Sequence, residues 1–379
     1  MAHFLVRNGN RELNYRLSRR INNARMQLFA ARRIQWYIEW LSWPSKRLRE
    51  FKFFGYRMNV VTLLLPGLLS MSLTPSLKPD LQPAAVTGVQ AGAPRHVLQI
   101  GGGKIEIEVR QDSSILQTDD VLEWVRRAAG AVSMYYGSFP VERARVKVIE
   151  SRSNGQEIDG TTWGDVDGVQ GLSRMRLDGG VTRRELDADW TMTHEFVHLA
   201  LASLPDESHW LEEGLATYVE PVARAQAGQL SLNEVWRGMI QGMPHGEPQP
   251  GDQGLNHTHT WGRTYWGGAM FCLLADVKIR EATQNRKGLQ DALRAIVAAR
   301  ATIDTERSVE QILSAGDQAT GTTVLSDLYN AWKDHPVSVD LNRLWLELGV
   351  HMGSGGIEFD SQAPFASIRE AITKPPARR

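Results

Sequence analysis

The stretch "TMTHEFVHLAL", residues 191–201, sets His194 and His198 four residues apart with Glu195 directly after the first. Residues i and i+4 lie one above the other on a helix, so two imidazoles at this spacing converge on one point only if the segment is helical. Phe196, Val197, Leu199, Ala200 and Leu201 are apolar, which predicts that the helix is largely buried. Buried imidazoles and a buried carboxylate need partners, because unpaired polar burial is costly. A metal ion supplies them. In the H-E-x-x-H pattern the two histidines are metal ligands, and the Glu reaches the ion's water without being a ligand. The competing reading is an ordinary helix that carries three polar residues.

Two histidines do not hold zinc, and a third protein ligand is required. The metzincin continuation would need Gly at 201 and His at 204; both are Leu, which excludes that branch. Further on the chain reads "PDESHWLEEGLATYVE", residues 205–220. Pro205 breaks the first helix. Asp206 or Ser208 can cap a second one. Trp210, Leu211, Leu215 and Tyr218 give it an apolar stripe. Two helices joined by a short connection lie side by side, so Glu212 or Glu213 can face the histidines. A pair of acidic residues at a helix start also suits the helix dipole with no metal at all.

"HEFVH" followed by "WLEEGLATY" resembles the gluzincin clan of zinc peptidases, with a thermolysin-like catalytic domain. In its aminopeptidase branches the third ligand is the Glu directly before Gly in a W-L-x-E-G-x-A segment. The resemblance therefore implies Glu213 rather than Glu212. Thr217 lies one turn beyond Glu213 and is expected to support it. A third segment, "WGRTYWGGAMFCLLADVKIREATQNRKGLQDALRAI" (residues 261–296), is similar to the glycyl-aminopeptidase-like branch. There a Y-x-x-G-A segment opens a long helix that continues to an acidic residue and an Ile-Arg pair. In related aminopeptidases the Tyr three residues before that Gly stabilises the oxyanion, which implies Tyr265 for that role. A Tyr near a helix start can aim its hydroxyl at developing charge, although packing at a helix end explains it equally. The similarity covers roughly residues 100–350.

One stretch departs from the clan. Its aminopeptidases carry a Gly-rich strand with a Glu that holds the substrate's amino group. The corresponding "GTTWGDVDGVQGLSRMRLDGG", residues 160–180, has the glycines but no Glu; Asp165 and Asp167 are the carboxylates of its first half. This puts exopeptidase activity in question. The strand retains main-chain groups that can align a peptide.

The expected function is zinc-dependent peptide hydrolysis. His194, His198 and Glu213 bind one Zn2+ per chain, Glu195 is the general base, and Tyr265 assists at the oxyanion. Two alternatives stand beside it. One is a binding or scaffolding protein that keeps zinc as a structural staple. The other is a zinc hydrolase of a non-peptide amide.

Charge is distributed unevenly. Residues 1–57 hold 13 Lys and Arg against three Glu, a net of +10; the whole chain sums to zero, so the other 322 residues carry −10. An acidic body argues against nucleic acid as a partner. "NVVTLLLPGLLSMSL", residues 59–73, is uncharged and 15 residues long. A membrane span needs about 20, so this length suits the apolar region of an export signal. A short anchor behind a cytoplasmic tail, or a start at a later residue such as Met26, accounts for the long basic arm. "VQA", ending at Ala91, offers a cleavage site. The expectation is a protein exported, or held at a membrane through residues 58–73 and facing the exterior; a cytoplasmic protein is the alternative. Cys272, the single cysteine, sits in an apolar helix and reads as inert.

The body reads as α+β, with a mixed-sheet lobe, the HExxH helix and a C-terminal helical lobe. The expected divisions are a basic arm at 1–57, the apolar segment and linker at 58–95, and a mixed-sheet lobe with the zinc helices at 96–228. A helical lobe at 229–352 and a tail at 353–379 follow. "VLQIGGGKIEIEVR" predicts a strand pair, "DDVLEWVRRAAGAVSMYYG" an amphipathic helix, and "ARVKVIES" a strand. The Gly-rich segment and "SRMRLDGG" are expected as edge strands. Helices are expected at 231–241, 263–283, 288–299, 308–314, 323–333 and 340–348, with a loop rich in Gly, Pro and His at 242–262. His257 and His259 precede Tyr265, His209 precedes the second zinc helix as a structural residue, and His245, His335 and His351 give no signal.

Overall fold

The computed structural model describes residues 95–110 and 116–376. The basic arm and the apolar segment fall outside them. Among the described residues no helix is long and apolar enough to cross a membrane.

The alternation in "GKIEIEVR" builds the first layer. Strands β1 (Arg95–Ile100) and β2 (Gly103–Arg110) form an antiparallel pair, as the glycines between them predict. Ile105 and Ile107 of β2 are buried, and Glu106 and Glu108 point to the other face. Helix α1 (Thr118–Tyr136) carries the chain across to β3 (Arg143–Glu150), which runs parallel to β2. Val146 and Val148 of β3 join the same core, while Arg145 reaches Glu106 at 3.0 Å on the charged face.

Two further strands complete the sheet, β4 (Ile158–Val166) and β5 (Val169–Leu177). The order is β1-β2-β3-β5-β4. β5 is parallel to β3 and antiparallel to β4, so the "SRMRL" stretch is an interior strand and not the expected edge. Its pattern explains this: Leu172, Met175 and Leu177 are buried, and the strand pairs on both sides. β4, the Gly-rich strand, is one edge, and β1 is the other.

Helices cover one face. After α2 (Arg183–Ala188) comes α3 (Thr191–His198), the helix with the HEFVH motif, then a turn and α4 (His209–Gln226). α3 stops at His198, seven residues before Pro205; a 3-10 turn, Asp206–Ser208, leads into α4. α1 packs on both. The later chain is mainly helical: α5 (Leu232–Gly242), α6 (Gly268–Ala282), α7 (Leu289–Ala298), α8 (Val309–Thr320), α9 (Val324–Trp332) and α10 (Leu341–Leu348). α8 runs six residues beyond the expected end, until Gly321 caps it with a left-handed φ of 70°. The stretch set apart as a tail carries strand β7 (Gly356–Phe359), paired with β6 (Val350–Gly353), and helix α11 (Ala366–Thr373). Ile368 and Ile372 of α11 are buried.

Candidate active site

α3 is only eight residues long, and its start is pinned from outside. The Asp189 carboxylate accepts the backbone N–H groups of Thr191 and Met192 at 3.0 Å each, and the Trp124 indole N–H of α1 at 2.9 Å. This satisfies donors that a helix N-terminus leaves open and fixes the helix against α1. Burial pushes the Asp189 carboxyl above its ordinary range, although these donors oppose the shift. Phe196 meets Phe139 edge to face at 5.4 Å on the core side.

From this frame His194 and His198 project toward α4, with ring centroids 4.9 Å apart. Glu213 of α4 answers them. Its Oε2 lies 3.1 Å from Nε2 of His194 and 3.6 Å from Nε2 of His198. Among the described residues these three form a cluster with metal-ligand spacing, one donor atom from each lying within 4.8 Å of the others. Burial disfavours the charge of Glu213, yet His198 and His194 hold its carboxyl well below the usual carboxylate range. Burial pulls His194 down, while its bond to Glu213 raises it above an ordinary imidazole.

The cluster meets a direct test of fit for zinc. Two imidazole nitrogens and one carboxylate oxygen converge from two facing helices, all three groups largely shielded from water. That donor set and number match a catalytic zinc site, which takes three protein ligands and leaves a fourth position for water.

Glu212 is turned away. Its Oε1 accepts the Leu204 N–H at 3.0 Å, and its Oε2 meets Nδ1 of His209 at 3.0 Å. Thr217, expected to support Glu213, bonds instead to the Glu213 main-chain carbonyl at 2.8 Å. A hydroxyl one turn along a helix finds the i−4 carbonyl more readily than the side chain. Glu220, which shares the Glu213 face, pairs with Arg224 at 2.9 Å, and both are buried. Arg224 also reaches the Ala188 carbonyl at 3.2 Å, tying α4 to the end of α2.

Glu195 is buried on α3 and faces the edge strand. A methyl group built on Gly160 of β4 would sit 2.6 Å from Cγ of Glu195 and 2.9 Å from its Oε1. Glycine is thus what lets the general-base candidate lie against the strand backbone. Asp165, near the end of β4, and Asp167, in the β4–β5 turn, have positive φ values of 49° and 54°. Asp167 pairs with Lys147 at 3.0 Å. Asp165 is five residues beyond Gly160, about 16 Å along an extended strand.

Tyr265 comes from the other side. The expected helix start at 263 is a π-helical turn, Gly262–Gly267, running into α6. Within it Tyr265 stacks on His194, with centroids 6.4 Å apart and planes at 23°. Two glycines set this closeness: a Cβ on either Gly214 of α4 or Gly268 of α6 would collide with the other helix's backbone. Buried Arg263, held by Asp252 at 2.8 Å and by the Gly246 carbonyl, anchors the π turn to the preceding loop. The sequence pattern gave no period for this turn, because its geometry follows from packing; π turns of this kind recur at functional sites.

The remaining candidates stand apart from the cluster. His257 pairs with exposed Asp334 at 2.8 Å, and His245 packs edge-on to Trp261 at 5.6 Å. In the Ile-Arg segment, Asp276 accepts from Tyr218 at 2.8 Å, Arg280 at 2.8 Å and the Leu289 N–H at 2.9 Å, a buried network that joins α4, α6 and α7. Burial pushes the Cys272 thiol far up, as an inert core cysteine requires.

Among solved structures the chain superposes on an aminopeptidase N family protein from Idiomarina loihiensis. The TM-score is 0.52 at 12% identity, over 72% of this chain and 53% of that one. The fold is that of the aminopeptidase N family. A looser likeness, TM-score 0.40 at 16% identity, links 66% of this chain to 54% of an M1 zinc metallopeptidase from Deinococcus radiodurans. The fold assignment rests on the first of these. No family model and no curated protein matches the sequence. The chain spans about half the length of the solved structures it matches. In this fold the HEFVH helix packs against β4, a strand at one edge of the mixed sheet, and against the helix that follows it.

Proposed function

We propose that the chain is a zinc-dependent peptidase. The observation that carries this reading is the convergence of His194, His198 and Glu213, with Glu195 of the HEFVH helix lying against the β4 backbone at Gly160. Fold alone does not carry activity, so the reading rests on the site.

Nε2 of His194, Nε2 of His198 and the Glu213 carboxylate would hold the zinc ion. An ion held there would supply a water of lowered pKa, toward ~7, and a Lewis acid for the scissile carbonyl. Glu195 takes the proton of the attacking water at its carboxylate and delivers it to the leaving amine. The Tyr265 hydroxyl, carried on the ring above His194, donates to the carbonyl oxygen as it gains negative charge. β4, the strand that lies against Glu195 at Gly160, is the one along which an extended peptide would align by main-chain hydrogen bonds. Trp190, edge-on to His194 at 5.4 Å, helps exclude water from the imidazoles.

The substrate reading follows from β4. Asp165 and Asp167 lie at the far turn, and Asp167 is engaged by Lys147, so neither sits at the cluster to hold a free α-amine. The proposed substrates therefore include peptides with a blocked amino terminus. Export, or anchoring through residues 58–73, belongs to the same proposal, and mass spectrometry of the mature N-terminus tests it.

The test of function is hydrolysis of a library containing free and N-acetylated peptides, before and after chelation and after zinc is returned. Cleavage that is lost on chelation and recovers with zinc supports the reading; cleavage indifferent to chelation overturns it.

A further inference from the structure

His209 opens α4, one turn before Glu213, and its imidazole lies between two carboxylates. Nδ1 is 3.0 Å from Oε2 of Glu212, and Nε2 is 3.4 Å from Oε1 of Glu213. Glu212 is itself fixed by the Leu204 N–H at 3.0 Å. A chain of contacts thus runs from the backbone after α3, through Glu212 and His209, to the outer oxygen of Glu213. The other Glu213 oxygen, Oε2, is the one that faces His194 and His198. The two oxygens of a single carboxylate are divided: one toward the candidate metal position, one toward His209.

We propose that His209 is a positioning residue for Glu213, bracing the outer oxygen so that only Oε2 is presented to the metal. This rests on the reading of the cluster as a zinc site. A His at a helix start beside Glu212 makes an ordinary i,i+3 pair, which alone would be a weak contact. What exceeds that is the second contact, from the opposite ring nitrogen, to the one carboxylate of α4 that faces the imidazoles. A carboxylate with one oxygen tied loses rotational freedom before the metal arrives. Less entropy is then spent on binding. Partners of metal ligands typically contribute about 10- to 100-fold to metal affinity.

The experiment measures zinc dissociation constants by competition with a chromophoric chelator, for the wild type, His209→Ala, His209→Gln and Glu212→Gln. Thermal unfolding of each metal-free protein is recorded alongside. The proposal expects His209→Ala to weaken zinc binding by about 10-fold or more, with its metal-free unfolding midpoint close to wild type. His209→Gln, whose amide N–H can reach the same oxygen, restores most of the affinity. Glu212→Gln, one link further back, costs less than His209→Ala. If wild type binds zinc and His209→Ala binds it equally well, His209 is only a helix-start residue and the proposal is overturned. The same holds if alanine and glutamine weaken binding alike, or if the loss merely follows a fall in the metal-free midpoint. If the wild type itself takes up no zinc, the reading of the cluster fails and this proposal with it.

Discussion

Glu212 and Glu213 are chemically identical neighbours that a helix turns about 100° apart. Their surroundings divide them: Glu213 meets His194 and His198, whereas Glu212 meets Leu204 and His209. Glu213→Gln is expected to strip most bound zinc, because a carboxylate ligand becomes a neutral amide, and Glu212→Gln to retain near-stoichiometric zinc at saturating metal. Metal analysis of both purified variants checks this; the opposite pattern would reverse the assignment. The spacing of His194 and His198 was readable because i,i+4 geometry belongs to a single helix. Choosing between the glutamates needed the resemblance, since the apolar stripe of α4 does not say which flank faces α3. His209 reads as structural at the start of α4, yet its neighbours at i+3 and i+4 are both carboxylates, a signal present in the sequence. Asp189 was not singled out. It lies two residues before α3, and its partner Trp124 is 65 positions away.

At the scale of elements the site depends on how closely two helices approach. A Cβ on Gly268 would press on the Trp210 carbonyl and on Gly214. Gly268→Ala is therefore expected to destabilise by about 1–3 kcal/mol through overpacking. It should also move Tyr265, so activity falls further than stability alone accounts for; denaturant unfolding and peptide hydrolysis together check this, and a variant of full stability and full activity would contradict the tight contact. Asp189→Ala should cost about 1–2 kcal/mol in unfolding free energy through the lost helix-start bonds of α3. Most helices after α5 were legible from their apolar period. The π turn at Gly262–Gly267 was not, because it arises where Arg263 and the 243–246 loop pack together. β5 reads as an edge because "SRMRL" alternates charge with apolar residues, a pattern that an interior strand of a one-sided sheet shows equally.

Among the described residues the fold is a one-sided mixed sheet roofed by helices, and the candidate site lies where α3, packed against β4, meets α4. The α+β class followed from the alternation of β2 and β3 and from the amphipathic α1. The strand order did not, because a sequence carries no direct record of which strands pair across distance. The whole account turns on Glu195, the acidic side chain on α3 that lies against β4 and has no place among the three candidate ligands. The most direct measurement compares peptide cleavage by the wild type and Glu195→Gln at matched, verified zinc content. The account predicts that Glu195→Gln keeps its zinc and loses about 100- to 10,000-fold in rate, the usual contribution of a positioned acid–base group. Cleavage by zinc-loaded Glu195→Gln at the wild-type rate would contradict it.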